Sequence, residues 1–479
     1  MIALYCKKSI FFSAFFIFLI NLNGQIKVSP LFSDDMILQR SSMVAVWGSS
    51  KANEKVSVFS SWNNKEVTTQ SDDNGNWMVD VSTPGAGGPY EIKISSKKNV
   101  LKLSNVLIGE VWIASGQSNM QMSLYGGGRE PVFGSIDLIA QAKNSNIRLF
   151  TVERSSSESP KKDLNGKWLV SSPSNTSKFS AVAYSFANYL NKVLDIPIGI
   201  IHTSWGGSPA EAWTDKKTLS DNFEKSEIRN NHKDKAIHHN PSGLFNAMIN
   251  PLIPFKIRGA IWYQGESNVG RANNYTKLMN NMINGWRSQW NQGPFPFYFV
   301  QIAPNGAGGK TNNSNQAYLR EAQLLTMLQT ENTGMAVTLD IGSEYTVHPP
   351  EKILVGKRLA YWALAKDYNL GGISFSGPVY KSLDIKGDKV IVNFDYAQNG
   401  ITSYNKPIVG FEIAGSNKVF YKANAKVIRG YGSNRSKLEV SSDSVENPVA
   451  VRYGWKNYLK GNLYNSQGLP ASSFRSDDW

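Results

Sequence analysis

Cysteine is what this chain has least of: one in 479 residues, Cys6. It precedes an apolar stretch from Ile10 to Ile20 that follows Lys7 and Lys8 and ends in the short polar or small residues of Asn21 to Gly24. That order reads as a secretory signal over residues 1–24, removed from the mature chain, and the apolar run is too short for a stable membrane span. A lipoprotein cysteine would follow the run. The mature chain then has no cysteine, which excludes disulfides, a thiol nucleophile and a cysteine zinc site and leaves stability outside the cell to packing. The expected location is secreted or periplasmic.

Other absences narrow the chemistry. There is no HExxH and no closely spaced set of histidines and carboxylates, so neither metal nor cofactor is expected. The run GQSNM lacks the second glycine of a GxSxG elbow. APNGAGGKT ends like a phosphate-binding loop, but Pro304 stands where its first glycine belongs. The formal charge is +14, yet no compact basic run is interleaved with aromatics, so nucleic acid is not an expected partner. The basic balance reads as a soluble surface, or as a field favouring acidic glycans.

What is present supports real cores: 41% hydrophobic residues, with 13 Trp and 22 Phe, in a chain long enough for two or three compact units. Residues 25–105 carry short β runs (MVAVWG, KVSVFSSW, NWMVDVS, YEIKIS) split by turn residues, the pattern of an N-terminal β-sandwich. Over 106–370 near-continuous apolar strands (IPIGIIHTSW, IRGAIWYQ, PFYFVQIAP, GMAVTLDIG) alternate with helical stretches, which predicts an α/β domain on a buried parallel sheet. From 371 to 479 the β texture returns, in KVIVNFDY, IVGFEIAG and NPVAVRYGW, as a C-terminal β-rich domain.

Three polar turns carry the candidate chemistry. GEVWIASGQSNMQM, Gly109 to Met122, ends an apolar strand in a small polar turn and places Ser118 at the strand-to-helix handover, where reacting groups collect in open α/β sheets. Ser118 is therefore a candidate nucleophile. The turn SWGGS, Ser204 to Ser208, offers backbone N–H groups at glycines that permit close approach to a developing oxyanion. YQGESN, Tyr263 to Asn268, adds the side-chain amides of Gln264 and Asn268, and a carboxylate, Glu266, that serves as acid or base or braces the loop. Among the histidines, His202 lies in an apolar strand and reads as buried, while His238 and His239 line the cleft or cap their helix. His348, in YTVHPPEK after the last sheet strand, is the candidate base.

At these turns the chain resembles the sialate O-acetylesterase family of SGNH-type hydrolases. The resemblance rests on FSDDMILQR with VWG, GEVWIASGQSNM, SWGGSPAEAW, NAMINPLIPFKIRGAIWYQGESN, GFEIAG, PVAVRYGW and NLYNSQGLPASSFRSD, in that order. It implies an SGNH-like three-layer α/β/α fold with a parallel central sheet, flanked by β-sandwich-like regions at both ends. It implies Ser118 as nucleophile and His348 as base, with the Ser118 amide, Gly207 and Gln264 or Asn268 holding the oxyanion. One departure stands out. Many SGNH-type enzymes carry an aspartate three residues before the histidine, and here that residue is Tyr345. Asp340, Glu344 or a backbone carbonyl then orients the ring, or the site runs as a dyad. Arg320 and Arg129 are offered as contacts for a sugar carboxylate, against surface or helix-pairing roles.

The expected activity is a serine esterase that removes O-acetyl groups from carbohydrate, with acetylated sialic acid as favoured substrate. The alternatives are the same chemistry on acetylated xylan, pectin or another plant glycan, and a noncatalytic glycan-binding protein suggested by the β flanks and aromatics.

Overall fold

A computed structural model describes residues 26–97, 99–228, 236–428 and 430–479. The signal-like segment 1–24 with Cys6, and His232, lie outside the described residues. Among the described residues no helix is long and apolar enough to cross a membrane.

The apolar runs form the strands of the central sheet: β1 Val100–Gly116, β2 Asn144–Thr151, β3 Trp168–Ser171, β4 Ile198–Ser204, β5 Gly259–Tyr263, β6 Phe297–Val300 and β7 Thr333–Ala336. Their order in space is β3-β2-β4-β1-β5-β6-β7. All neighbours from β2 to β7 are parallel. The sheet as a whole is mixed rather than parallel, for two reasons. The edge strand β3 returns antiparallel to β2. The early part of β1 pairs antiparallel with Gly87–Ser95, which belongs to the N-terminal β region. Strand β1, 17 residues long, therefore runs through the expected boundary at 105/106 without a break and joins the two regions covalently and by hydrogen bonds.

Five helices matter for the site: α1 Ser118–Gln121, α2 Ala181–Leu194, α3 Ala272–Trp290, α4 Asn315–Gln329 and α5 Lys352–Lys366. Trp112 on β1 meets Phe186 of α2 at 5.0 Å, and Tyr298 on β6 meets Trp362 of α5 at 6.1 Å. Trp262 on β5 meets Trp286 of α3 at 6.1 Å. Gly259 is the cross-strand partner of Trp112, and Trp262 lies three residues further on, so the two indoles point to opposite faces. Helices thus cover both faces, and each fully buried ring contributes about 2–3 kcal/mol of apolar burial.

The N-terminal region shows the expected alternation. Val44 and Val46 on Met43–Ser49, Val56 and Val58 on Lys55–Ser60, and Ile92 and Ile94 on Gly87–Ser95 point inward while their neighbours face water or the rim. The C-terminal region folds into two four-stranded sheets and a two-stranded ladder, all antiparallel. Arg320 on α4 fastens it to the α/β domain. Its guanidinium donates to Ser473 Oγ and Gly454 O at 2.9 Å and to Lys456 O at 2.5 Å, and the side chain is fully buried. The expectation that Arg320 contacts a sugar carboxylate is corrected accordingly: no part of it reaches solvent.

Candidate active site

The sheet register brings the three polar turns to one row. Gly116 at the end of β1 is the cross-strand partner of Ser204 at the end of β4 and of Tyr263 at the end of β5. The chain leaves β1 through Gly116 at φ 134°, where a Cβ would stand 2.1 Å from Tyr263 O, so only glycine fits. The resulting turn exposes Ser118 on the first turn of α1.

Side chains then tie the turns together. Gln117 Oε1 accepts from the amides of Gly265 and Ser267, both at 3.3 Å. Gln121 Oε1 accepts from the Gly206 amide at 2.8 Å, and Ser267 Oγ donates to Gly207 O at 2.9 Å. Among the described residues, neither the Ser118 nor the Gly207 amide has a protein acceptor. Amides of a first helical turn have none within their helix, and Gly207 sits at φ 77° in its own turn.

His348 comes to this row from the loop between β7 and α5. Its Nε2 lies 2.8 Å from Ser118 Oγ, and its Nδ1 lies 2.7 Å from Glu130 Oε2. The other Glu130 oxygen accepts from the Thr346 hydroxyl, and Thr346 Oγ1 accepts from the His348 amide at 3.1 Å. The loop holding Glu130 is itself pinned, since Phe133 N donates to Pro350 O at 3.0 Å. Burial depresses the His348 imidazole below its ordinary value; Glu130 opposes that shift and Lys352 adds to it. The ring is therefore neutral at neutral pH, the form that accepts a proton.

Glu130 is the residue that sequence reasoning missed. It lies 12 residues after Ser118 in the turn GGGRE, whereas the acids expected to orient the ring, Asp340 and Glu344, stand just before His348. The nominated acids are elsewhere. Asp340 forms a two-pronged pair with Arg358, at 2.8 and 2.6 Å. Glu344 is exposed and Tyr345 is 87% exposed. Glu266 Oε1 accepts from Asn119 Nδ2 at 2.6 Å, which makes it a brace of the Ser118 turn, and burial raises its carboxyl above the usual range.

The two side-chain amides lie where the second and third turns meet. Gln264 is fully buried, and both its amide hydrogens are taken, by Ser208 O at 3.3 Å and Asn268 Oδ1 at 2.7 Å. Asn268 donates to Glu211 Oε2 at 2.9 Å and accepts from the Ala210 amide at 3.0 Å. These bonds hold the second and third turns together. His202 is buried against Phe179, bonded to Ser204 Oγ at 2.6 Å, and pushed by burial down to about 4. His238 stacks on Trp205 at 5.3 Å and meets His239 at 4.3 Å, beside Gly207. Arg129 is exposed next to Glu130. Among the described residues no cluster of three or more His, Cys, Asp or Glu could hold a metal ion.

The family model for carbohydrate esterases described as sialic acid-specific acetylesterases matches residues 108–364, which span all three turns and His348. Sialate O-acetylesterases from Pongo abelii and Homo sapiens are each 29% identical over 486 residues, covering 92% of this chain and 91% of theirs. The crystal structure of a carbohydrate acetylesterase from Xanthomonas citri superposes with a TM-score of 0.86 at 35% identity, over 95% of this chain and 100% of that one. The chain is a carboxylic ester hydrolase and belongs to the sialic acid-specific acetylesterase family of carbohydrate esterases.

Proposed function

We propose that this protein is a secreted serine esterase of SGNH type, with a three-layer α/β/α catalytic domain, that removes O-acetyl groups from sialic acid. The observation that carries the reading is the unbroken relay from Ser118 Oγ to His348 to Glu130, at 2.8 and 2.7 Å. Ser118 Oγ attacks the acetyl carbonyl carbon as His348 Nε2 takes its proton. The carbonyl oxygen becomes negative against the Ser118 and Gly207 amides, whose hydrogens have no protein acceptor among the described residues. Glu130 fixes the ring tautomer and stabilises the imidazolium. His348 returns the proton to the departing sugar oxygen, the C–O bond breaks, and an acetyl-enzyme remains. Water, deprotonated by the same nitrogen, then releases acetate and restores the serine.

Substrate choice is supported by the sialate esterases among the relatives and by the basic balance of the chain. The Trp205 and His238 rings beside Gly207 provide a wall against which a sugar can stack. Acetate release from O-acetylated sialic acid, acetylated xylan and acetylated pectin tests the substrate. Ser118→Ala tests the chemistry: it is expected to lower kcat by about a thousandfold or more while leaving the melting temperature unchanged. Turnover retained in that variant removes the nucleophile, and preference for xylan or pectin removes the substrate.

A further inference from the structure

Beneath the relay lies a lysine that the proposed reaction does not use. Lys352, the first residue of α5, is fully buried. Its Nζ donates to Asn119 Oδ1 at 2.5 Å and sits 5.5 Å from the centre of the Tyr263 ring. Among the described residues no carboxylate oxygen lies within ion-pair distance of it. A cation buried for stability alone is ordinarily matched by a carboxylate, because leaving it unmatched costs several kcal/mol. Here the direct partner is a neutral amide.

That amide is the hub of the site. Asn119 follows the nucleophile directly in sequence. Its Nδ2 donates to Glu266 Oε1 at 2.6 Å and to Val347 O at 3.0 Å, next to His348. Its remaining oxygen is taken by Lys352. One side chain thus touches the Glu266 turn, the histidine loop and the head of α5 while anchoring the serine turn.

We propose that Lys352 is a positioning residue of this active site: through Asn119 its ammonium locks the Ser118 turn to the His348 loop. This rests on the reading of Ser118 and His348 as nucleophile and base. The groups that face the lysine are Glu266 on the turn after β5, Glu130 on the loop after α1, Glu351 on its own helix cap, Tyr263 on β5, and His348. Burial drives Lys352 down to about 7, with the three glutamates opposing. The Tyr263 hydroxyl and Glu266 Oε2 have no hydrogen-bond partner among the described residues, so the network surrounding the ammonium is not saturated.

The test is the pH profile of kcat/KM on p-nitrophenyl acetate for the full chain and two variants. Lys352→Met removes donor and charge; Lys352→Gln removes the charge and retains a donor for Asn119. In both variants the acid limb should move up by about one pH unit, because the imidazole loses a like-charged neighbour. Lys352→Met should also lower kcat by about 10–100-fold with KM little changed, and Lys352→Gln by less. An unchanged kcat in Lys352→Met, or a loss that falls on KM instead of kcat, overturns the proposal. Should the variants not fold, Asn119→Ala, which breaks the same lock from its other end, takes their place, and an unchanged kcat there also overturns the proposal. Turnover retained by Ser118→Ala undoes the underlying reading, whereas an inactive Ser118→Ala beside wild-type-like Lys352 profiles removes only the role of Lys352.

Discussion

The two ends of the central sheet handle buried polarity in opposite ways. At the amino end, Glu110 on β1 accepts from Arg40 Nε at 2.5 Å and Gln39 Nε2 at 3.2 Å. Arg258 donates to Asp367 O at 2.9 Å, and the Tyr298 hydroxyl donates to Asp367 Oδ2 at 2.7 Å. Among the described residues Arg258 Nε, 4.0 Å from Glu110, and Gln292 Oε1 beside it are left without a hydrogen bond. At the carboxyl end the two amides at Ser118 and Gly207, the Tyr263 hydroxyl and one Glu266 oxygen lack partners among the described residues, and Lys352 faces a neutral oxygen. Complete polar networks hold a chain in one shape, whereas unsatisfied groups at a strand end keep capacity for a ligand. The less complete end is the one that carries the serine.

The sharpest way to break this comparison is to exchange acids within the carboxyl end. Glu130→Gln keeps the shape of the side chain but no longer favours the imidazolium, and kcat should fall by about 10²–10⁴-fold with KM within a few-fold. Asp340→Asn should leave kcat within about a few-fold while destabilising the protein by roughly 2–4 kcal/mol, since it strips a buried Arg358 of its carboxylate. Steady-state kinetics and thermal melts on the two variants decide it. A larger catalytic loss at Asp340 than at Glu130 would place the orienting acid wrongly.

The amino end offers the complementary loss. Glu110 is 2% exposed and lies six residues before Gly116, about 20 Å from the serine turn at ordinary strand rise. Glu110→Gln should lower stability by about 1–3 kcal/mol, the range for a buried hydrogen-bonded charge whose partners reach solvent. It should leave kcat and KM unchanged within about twofold. A loss of kcat without a loss of stability would show that the two ends are coupled through β1.

What the sequence made legible follows the physics of each signal. The strands Ile198–Ser204 and Gly259–Tyr263 are readable because their apolar runs are near-continuous, and the three turns because small polar residues end buried strands. Helix Asn315–Gln329 carries no comparable apolar signal. Its inner face carries Gln316, Arg320 and Gln323, all buried, which bond to Asn305, to the C-terminal region and to strand β6, so polarity masks its period. The mixed sheet escaped for another reason: the antiparallel pairing of early β1 is set by a partner strand, not by β1's own pattern. Glu130 was invisible because nothing local marks an acid on an exposed GGG turn. Only the fold brings it to a histidine 218 residues away.

The smallest expected effect concerns the position where the family pattern departs. Residue 345 is where many SGNH-type enzymes have the aspartate, and in this chain the tyrosine there is 87% exposed. Its amide donates to Ser343 Oγ at 3.3 Å, a local turn that fixes the backbone independently of the ring. With Nδ1 already held by Glu130 and the Thr346 hydroxyl occupying the second Glu130 oxygen, an added carboxylate at 345 has no donor left to complete. Tyr345→Asp should therefore change kcat/KM by less than about twofold, the scale of an exposed substitution away from any network. In the Glu130→Gln background it should recover little of the lost activity, because a side chain rooted in an exposed turn must give up solvation and reshape that turn to reach the ring. Strong rescue in the double variant would mean that the histidine loop can present an acid from either side, and that the carboxyl end is less committed to Glu130 than its geometry implies.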